Sequence, residues 1–198
     1  MSAVAAAVLA AGRGVRLGGG DAKPLAQWRG RPLVAWALDA AETSGCAPVL
    51  LVVGYRAGDV RAAAAGRAGV EVLDNPDWAE GIAASLRTVL AVLGPRDGVD
   101  AVCIGLADQP LVGAAAYRRL VAAHHDGAGF AVATYGGVRG NPVLLSRSLW
   151  GEAAALEGDA GARVLMDRHP VVDVPCDGTG SPADVDTPED LERLQEDQ

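Results

Sequence analysis

The chain has 198 residues, half of them apolar, and a formal net charge of −8. That length suits a single domain over residues 1–198, able to bury roughly 70% of its unfolded surface. The acidic field repels polyanions, which excludes nucleic acid as an expected partner, and no apolar run approaches the about 20 residues of a membrane helix.

The first apolar run, Val4 to Ala11, is followed by its first charge, Arg13, instead of being preceded by one. A secretory leader has the opposite order, so the chain reads as cytoplasmic. Short β-branched runs then alternate with longer stretches of helical period. Strands are predicted at Val4–Leu9, Val49–Val53, Val70–Leu73, Ala101–Leu106, Phe130–Thr134, Pro142–Leu145 and Val171–Pro175. Helices are predicted at Pro32–Ala41, Gly58–Ala65, Trp78–Leu93, Ala114–His124, Leu149–Leu156, Ala160–Asp167 and Pro188–Gln195. The last has a complete start signal: Thr187 at the N-cap, Pro188 in first position, then Glu189 and Asp190. This alternation is the signature of βαβ units around a mainly parallel sheet, an α/β fold. Cys46, Cys103 and Cys176 are odd in number and widely spaced, the pattern of reduced, buried thiols.

A glycine-rich loop follows the first strand, where α/β folds bind ligands. It runs Leu9-Ala10-Ala11-Gly12-Arg13-Gly14-Val15-Arg16-Leu17-Gly18-Gly19-Gly20-Asp21-Ala22-Lys23-Pro24. Its five glycines let the backbone approach a ligand, and exposed N–H groups form an anion-binding nest. Arg16 adds a guanidinium fork and Lys23 a compact ammonium, a set suited to a triphosphate. Lys23 is also the only lysine among 17 basic residues. In an arginine-biased chain, that exception points to a chemical need for an ammonium. Two common phosphate motifs are absent. The Rossmann spacing breaks at Leu17, with Gly54-Tyr55-Arg56 where its ribose-binding acid belongs, and Lys23 lacks the Gly before and Ser/Thr after it of a Walker A loop.

Two carboxylates stand where they can meet that loop. Asp108 follows a predicted strand and Asp186 precedes the last helix, and Mg²⁺ beside phosphates takes one or two such hard ligands. Asp184 is read as either an acid supporting the pair or a solvated turn residue. Asn75, Gly81 and Ser85 lie in and after a loop leading into a helix, where polar groups and N–H donors read a base or bind phosphate, although Asn75-Pro76-Asp77 is also an ordinary turn. The four tryptophans read as core or interface anchors. His124, His125 and His169 lack helical zinc spacing and read as capping groups. No Gly-x-Ser-x-Gly hydrolase motif occurs.

The opening Leu9-Ala10-Ala11-Gly12-x-Gly14-x-Arg16-Leu17-Gly18 with Lys23-Pro24 resembles the signature of glycosyltransferase-A type nucleotidyltransferases. Further segments resemble the molybdenum cofactor cytidylyltransferase branch of the MobA-like superfamily: Asn75–Gly81 with Ser85, Asp108-Gln109-Pro110, Gly140–Val143, Gly158–Arg163 and Asp184–Asp190. The family usually has His where Asn141 stands, and its lysine follows the glycines more closely. The resemblance implies a three-layer α/β/α, Rossmann-like fold with a mostly parallel mixed sheet. It also implies transfer of CMP from CTP to the phosphate of a molybdopterin-type cofactor, with release of pyrophosphate. Arg16, Lys23 and Asp108 would be catalytic, and Asp108 with Asp186 would hold Mg²⁺. The nucleotide would lie on Leu9, Ala10, Ala11, Gly12, Arg13, Gly14, Arg16, Lys23, Asn75, Gly81 and Ser85, with Ala11 and Ser85 helping to set the base. A molybdoenzyme maturation chaperone is an implied partner. A sugar- or polyol-phosphate acceptor, an NAD(P)-dependent oxidoreductase and a non-catalytic nucleotide sensor remain open alternatives.

Overall fold

The computed structural model describes residues 3–14 and 22–196, without the side chains of 195 and 196. Its centre is a seven-stranded sheet. β1 (Ala3–Ala10) lies between β4 (Val49–Val53) and β6 (Val99–Leu106), beyond β4 comes β5 (Val70–Asp74), and all four are parallel. β8 (Val138–Ser146) pairs antiparallel with β6 and with β7 (Phe130–Tyr135), and β9 (Val172–Pro175) runs parallel to β7 at the other edge. The order is β5-β4-β1-β6-β8-β7-β9. A two-residue-strand hairpin, β2 (Gln27–Trp28) with β3 (Arg31–Pro32), stands apart from it.

Period two in β1 sorts its side chains between two cores. Val4, Ala6, Val8 and Ala10 face helices α1 (Leu33–Glu42), α2 (Ala57–Ala63) and α4 (Ala114–His125), which contribute Leu38, Val60, Tyr117 and Leu120. Ala5, Ala7 and Leu9 face α3 (Ile82–Leu93) and α5 (Trp150–Ala154), which contribute Leu86, Val89, Leu93 and Trp150. Both faces of the sheet are covered, so parallel strands here are continuous apolar runs. The result is the expected three-layer arrangement, and all three cysteines are buried and free. No described helix is long and apolar enough to cross a membrane.

Two helix expectations change. The stretch from Trp78 to Leu93 is a 3-10 turn at Trp78–Glu80 followed by α3, because Gly81 breaks the helix with φ of +108°. A Cβ at Gly81 would lie 2.4 Å from the Gly158 carbonyl oxygen, so the glycine lets that loop seat on the start of α3, where Gly158 accepts from the Ala83 N–H. Residues Ala162–Asp167 form 3-10 turns and not an α-helix.

The sheet topology brings the chemistry-bearing loops together. Leu9 and Leu106 are partners in register on adjacent strands, and the chain leaves both at the same edge, the switch point where α/β sheets bind ligands. The segment after Cys176 is stitched to the loop after β6 by backbone bonds, including Val185 N–H to the Asp108 carbonyl at 2.9 Å. A third apolar cluster joins the hairpin to the last helix, α6 (Pro188–Glu196): Trp28, Leu33, Val185 and Leu194 are buried, with Trp36 and Leu191 against them. Trp28 Nε1 donates to the Leu194 carbonyl at 3.2 Å. The cluster therefore ties the segment just after Lys23 to the helix just after Asp186. Trp28→Ala is expected to lower the unfolding free energy by about 3–5 kcal/mol, the usual cost of emptying a buried aromatic site, read by chemical denaturation, and to speed amide exchange in α6.

Candidate active site

The glycine-rich loop begins where β1 ends, and Lys23 opens a 3-10 turn at Lys23–Leu25. Gly14 has φ of +60°, and a Cβ there would meet the Lys23 Cβ at 2.4 Å, so this glycine lets the lysine stem pack onto the loop. The ammonium reaches across to both predicted acids. Lys23 Nζ donates to Asp108 Oδ2 and to Asp186 Oδ1, each at 2.5 Å, although 85 and 163 residues separate these partners in sequence. Lys23 is only 13% exposed. Burial works against its charge, but the two carboxylates outweigh that and hold its pKa above the ordinary value.

Asp186 is presented by the N-terminus of α6. Thr187 Oγ1 accepts from the Asp190 N–H, while Asp190 Oδ2 accepts from the N–H groups of Asp186 and Thr187. Thr187 is the predicted N-cap, and the return bonds to Asp190, which the sequence pattern did not predict, make the cap reciprocal and fix the backbone at Asp186. Asp184 is held by Gln109: Gln109 Nε2 donates to Asp184 Oδ1 at 2.8 Å and to the Pro182 carbonyl at 2.9 Å, and its Oε1 accepts from Asn141 Nδ2 at 3.0 Å. Burial, then the nearby Asp108, push the Asp184 pKa up. Asp184 is thus hydrogen-bonded to Gln109, the residue that follows Asp108, and is not a free turn residue. Nothing in the sequence motif pointed to this Asn141–Gln109–Asp184 chain.

The acid pair suits a divalent ion. Asp108 Oδ1 is buried without a hydrogen-bond partner among the described residues, and one oxygen from each acid already faces a common cation. Among the described residues no three His, Cys, Asp or Glu side chains form a metal cage. A pair of hard oxygens with the other positions left to water and phosphate is the way Mg²⁺ is ordinarily held.

Two cavities flank this centre and share Leu9. The smaller, about 160 Å³, is lined by Leu9, Ala10, Gly12, Gly14, Lys23 and Asp108 among others. The larger, about 320 Å³, has an apolar floor that includes Leu86, Ile104 and Val143, and a polar rim of Gln109, Asn141, Asp159, Arg163 and Asp184. Arg13 lies over the Tyr55 ring, 5.5 Å from its centroid, and Tyr55 packs against Trp78. Ala11 is buried, its carbonyl accepting from the Tyr55 N–H. Arg16 lies outside the described residues, as do Gly18, Gly19 and Gly20.

Asn75, Gly81 and Ser85 line neither cavity. Asn75 and Ser85 are buried and bonded to each other, Nδ2 to Oγ at 3.1 Å, while Asn75 Oδ1 accepts from the Asp77 N–H. The local turn reading is therefore visible, together with a strut from the β5 loop to α3. His124 contacts the Ala128 carbonyl just beyond α4, outside the helix it was expected to cap, and His169 meets the Glu152 carboxylate of α5 instead of acting as a cap. Trp28 and Trp150 are core residues.

Residues 6–174 match the MobA-like NTP transferase domain. The chain belongs to that family. It is 35% identical over 207 residues to nicotine blue oxidoreductase from Paenarthrobacter nicotinovorans, covering 96% of each chain. It is 24% identical over 193 residues to the molybdenum cofactor cytidylyltransferase of Escherichia coli, covering 96% of this chain and 95% of that one. Among solved structures, Rv0371c from Mycobacterium tuberculosis H37Rv in complex with manganese superposes with a TM-score of 0.81 at 33% identity, over 100% of both chains. The family's fold is the observed one.

The Gln109 chain is open to direct test. Gln109→Leu removes the partners of Asn141 Nδ2, Asp184 Oδ1 and the Pro182 carbonyl, of which only Asn141 is buried, and is expected to cost about 1–3 kcal/mol for that buried amide left unpaired, measured by the midpoint of urea unfolding.

Proposed function

We propose that the protein is a Mg²⁺-dependent cytidylyltransferase that transfers CMP from CTP to the phosphate of a molybdopterin-type cofactor and releases pyrophosphate. The observation that carries this reading is the meeting of Lys23, Asp108 and Asp186 beside the Gly12–Gly14 backbone at the switch point of the sheet. The smaller cavity takes the phosphates, with loop N–H groups and Lys23 as donors, and Arg16 is assigned to the same phosphates. Asp108 and Asp186 hold the divalent ion, which when bound neutralises charge on the phosphates. An acceptor phosphate is already ionised at neutral pH, so no strong base is needed, and the residues act by alignment and charge neutralisation.

The larger cavity supports the acceptor side. Its apolar floor suits a flat ring system, and Arg163 at its rim has no ion pair among the described residues, leaving its guanidinium for an anionic group. Leu9 lines both this cavity and the smaller cleft, so an acceptor in the one is adjacent to a nucleotide in the other. Base selection is assigned to Ala11, with Asn75, Gly81 and Ser85 shaping the wall behind it, and the Ala11 methyl narrows the site toward a pyrimidine. We place the enzyme in the cytoplasm, as one domain, passing its product to a molybdoenzyme maturation chaperone.

A second reading is favoured by one observation, the 35% identity to nicotine blue oxidoreductase along nearly all of both chains. On that reading the larger cavity would take a flat dye-like substrate reduced by a nicotinamide nucleotide. Gly54, Tyr55 and Arg56 directly follow β4, where a dinucleotide fold places its ribose-binding acid, and this counts against it. Two assays separate the readings: pyrophosphate release from CTP with a pterin phosphate, and NADPH oxidation with a dye acceptor. On the proposed reading only the first proceeds, and Lys23→Ala or Asp108→Ala lowers its turnover at least about 100-fold with circular dichroism unchanged. Dye-dependent NADPH oxidation without pyrophosphate release would establish the second.

A further inference from the structure

We propose that Lys23 keeps the acid pair closed to free divalent ions, so that the site accepts its metal only together with a triphosphate and the ligand it recognises is the metal–nucleotide chelate. This deepens the nucleotidyl-transfer reading and rests on it.

Lys23 Nζ sits 2.5 Å from one oxygen of Asp108 and 2.5 Å from one of Asp186. A small cation bridging these two oxygens would have to lie in the same space, and two cations do not share it. The ammonium is well sheltered there, 13% exposed, with the lysine stem packed against Gly14. A free divalent ion must therefore displace a seated, charge-paired group.

A triphosphate changes that balance. Lys23 lines the same small cleft as Gly12 and Gly14, so phosphate oxygens bound to the loop backbone lie within the swing of its four-carbon stem. Once the ammonium turns to those oxygens, both acids are released to the metal that arrives with them. Asp108 Oδ1 makes this exchange favourable, because the ammonium leaves that buried oxygen without a partner. Lysine is suited to such a move, since its charge sits on a flexible stem, whereas a guanidinium fork is rigid. The coupling is reciprocal: whatever the triphosphate adds to metal affinity, the metal adds to triphosphate affinity.

The test measures binding and not turnover. Manganese is titrated calorimetrically into wild type, Lys23→Met and Lys23→Gln, first alone and then with the non-hydrolysable analogue α,β-methylene CTP. Both neutral variants are expected to bind manganese alone at least about tenfold more tightly than wild type, and the analogue to tighten manganese binding by wild type at least about tenfold, within the usual range of site-to-site coupling. Equal affinity for manganese alone in wild type and the folded variants, with wild type binding the analogue, overturns the proposal. If neither variant folds, wild type decides: manganese bound as tightly without the analogue as with it overturns the proposal. Failure of wild type to bind the analogue with manganese at all overturns the nucleotidyl-transfer reading itself.

Discussion

The bridge from one ammonium to two carboxylates is the contact around which this molecule is arranged. Lys23, Asp108 and Asp186 come from three remote parts of the chain, and each is delivered by a different device. The lysine is delivered by a 3-10 turn after a glycine-rich loop, the first acid by the end of a central strand, and the second by a helix cap. Two acids drawn together repel each other unless a positive charge stands between them, so the cation is part of the architecture. Asp184 adds a further negative group, and its raised pKa reflects burial and the charge of Asp108.

Holding these parts in register is a task for the backbone and for buried side chains far from any substrate. Parallel β1 and β6 place the loops 11–14 and 107–110 side by side, with the Ala107 N–H donating to the Leu9 carbonyl. The bond from Val185 to the Asp108 carbonyl, and the cluster of Trp28, Val185 and Leu194, then bring the C-terminal segment against both. Small residues make the middle of this scaffold thin. Ala5, Ala6 and Ala7 in β1 are fully buried, which brings the helices of both layers close to the central strand.

Much of this was legible in the sequence because it depends on local chemistry or on strong periodicity. All seven predicted strands are present, and the α6 cap follows the residue pattern of Thr187 to Asp190, where each group satisfies its neighbour. Other features depend on contacts that no window of sequence contains. The hairpin of Gln27–Trp28 and Arg31–Pro32 has strands too short for any period to show. Gly81 ends one turn and starts a helix because the 158–159 loop lies against it, a constraint arising 77 residues later. Asn75 and Ser85 are legible as polar groups in and after a loop leading into a helix, whereas their bond to each other depends on how α3 packs against β5. The Asn141–Gln109–Asp184 chain joins three segments whose spacing carries no signal.

Membership of the MobA-like NTP transferase family accounts for the fold, while the 35% identical relative bears the name of an oxidoreductase. One scaffold serving two chemistries is physically reasonable, because the sheet edge supplies a polar cleft and an apolar cavity side by side, and function lies in what fills them. The most direct measurement is the position of manganese, located by anomalous diffraction in crystals grown with α,β-methylene CTP. The account predicts one ion within about 2.2 Å of an oxygen of Asp108 and of Asp186, with the phosphates on the Gly12–Gly14 backbone. An ion bound away from both acids, or phosphates seated elsewhere, would contradict it.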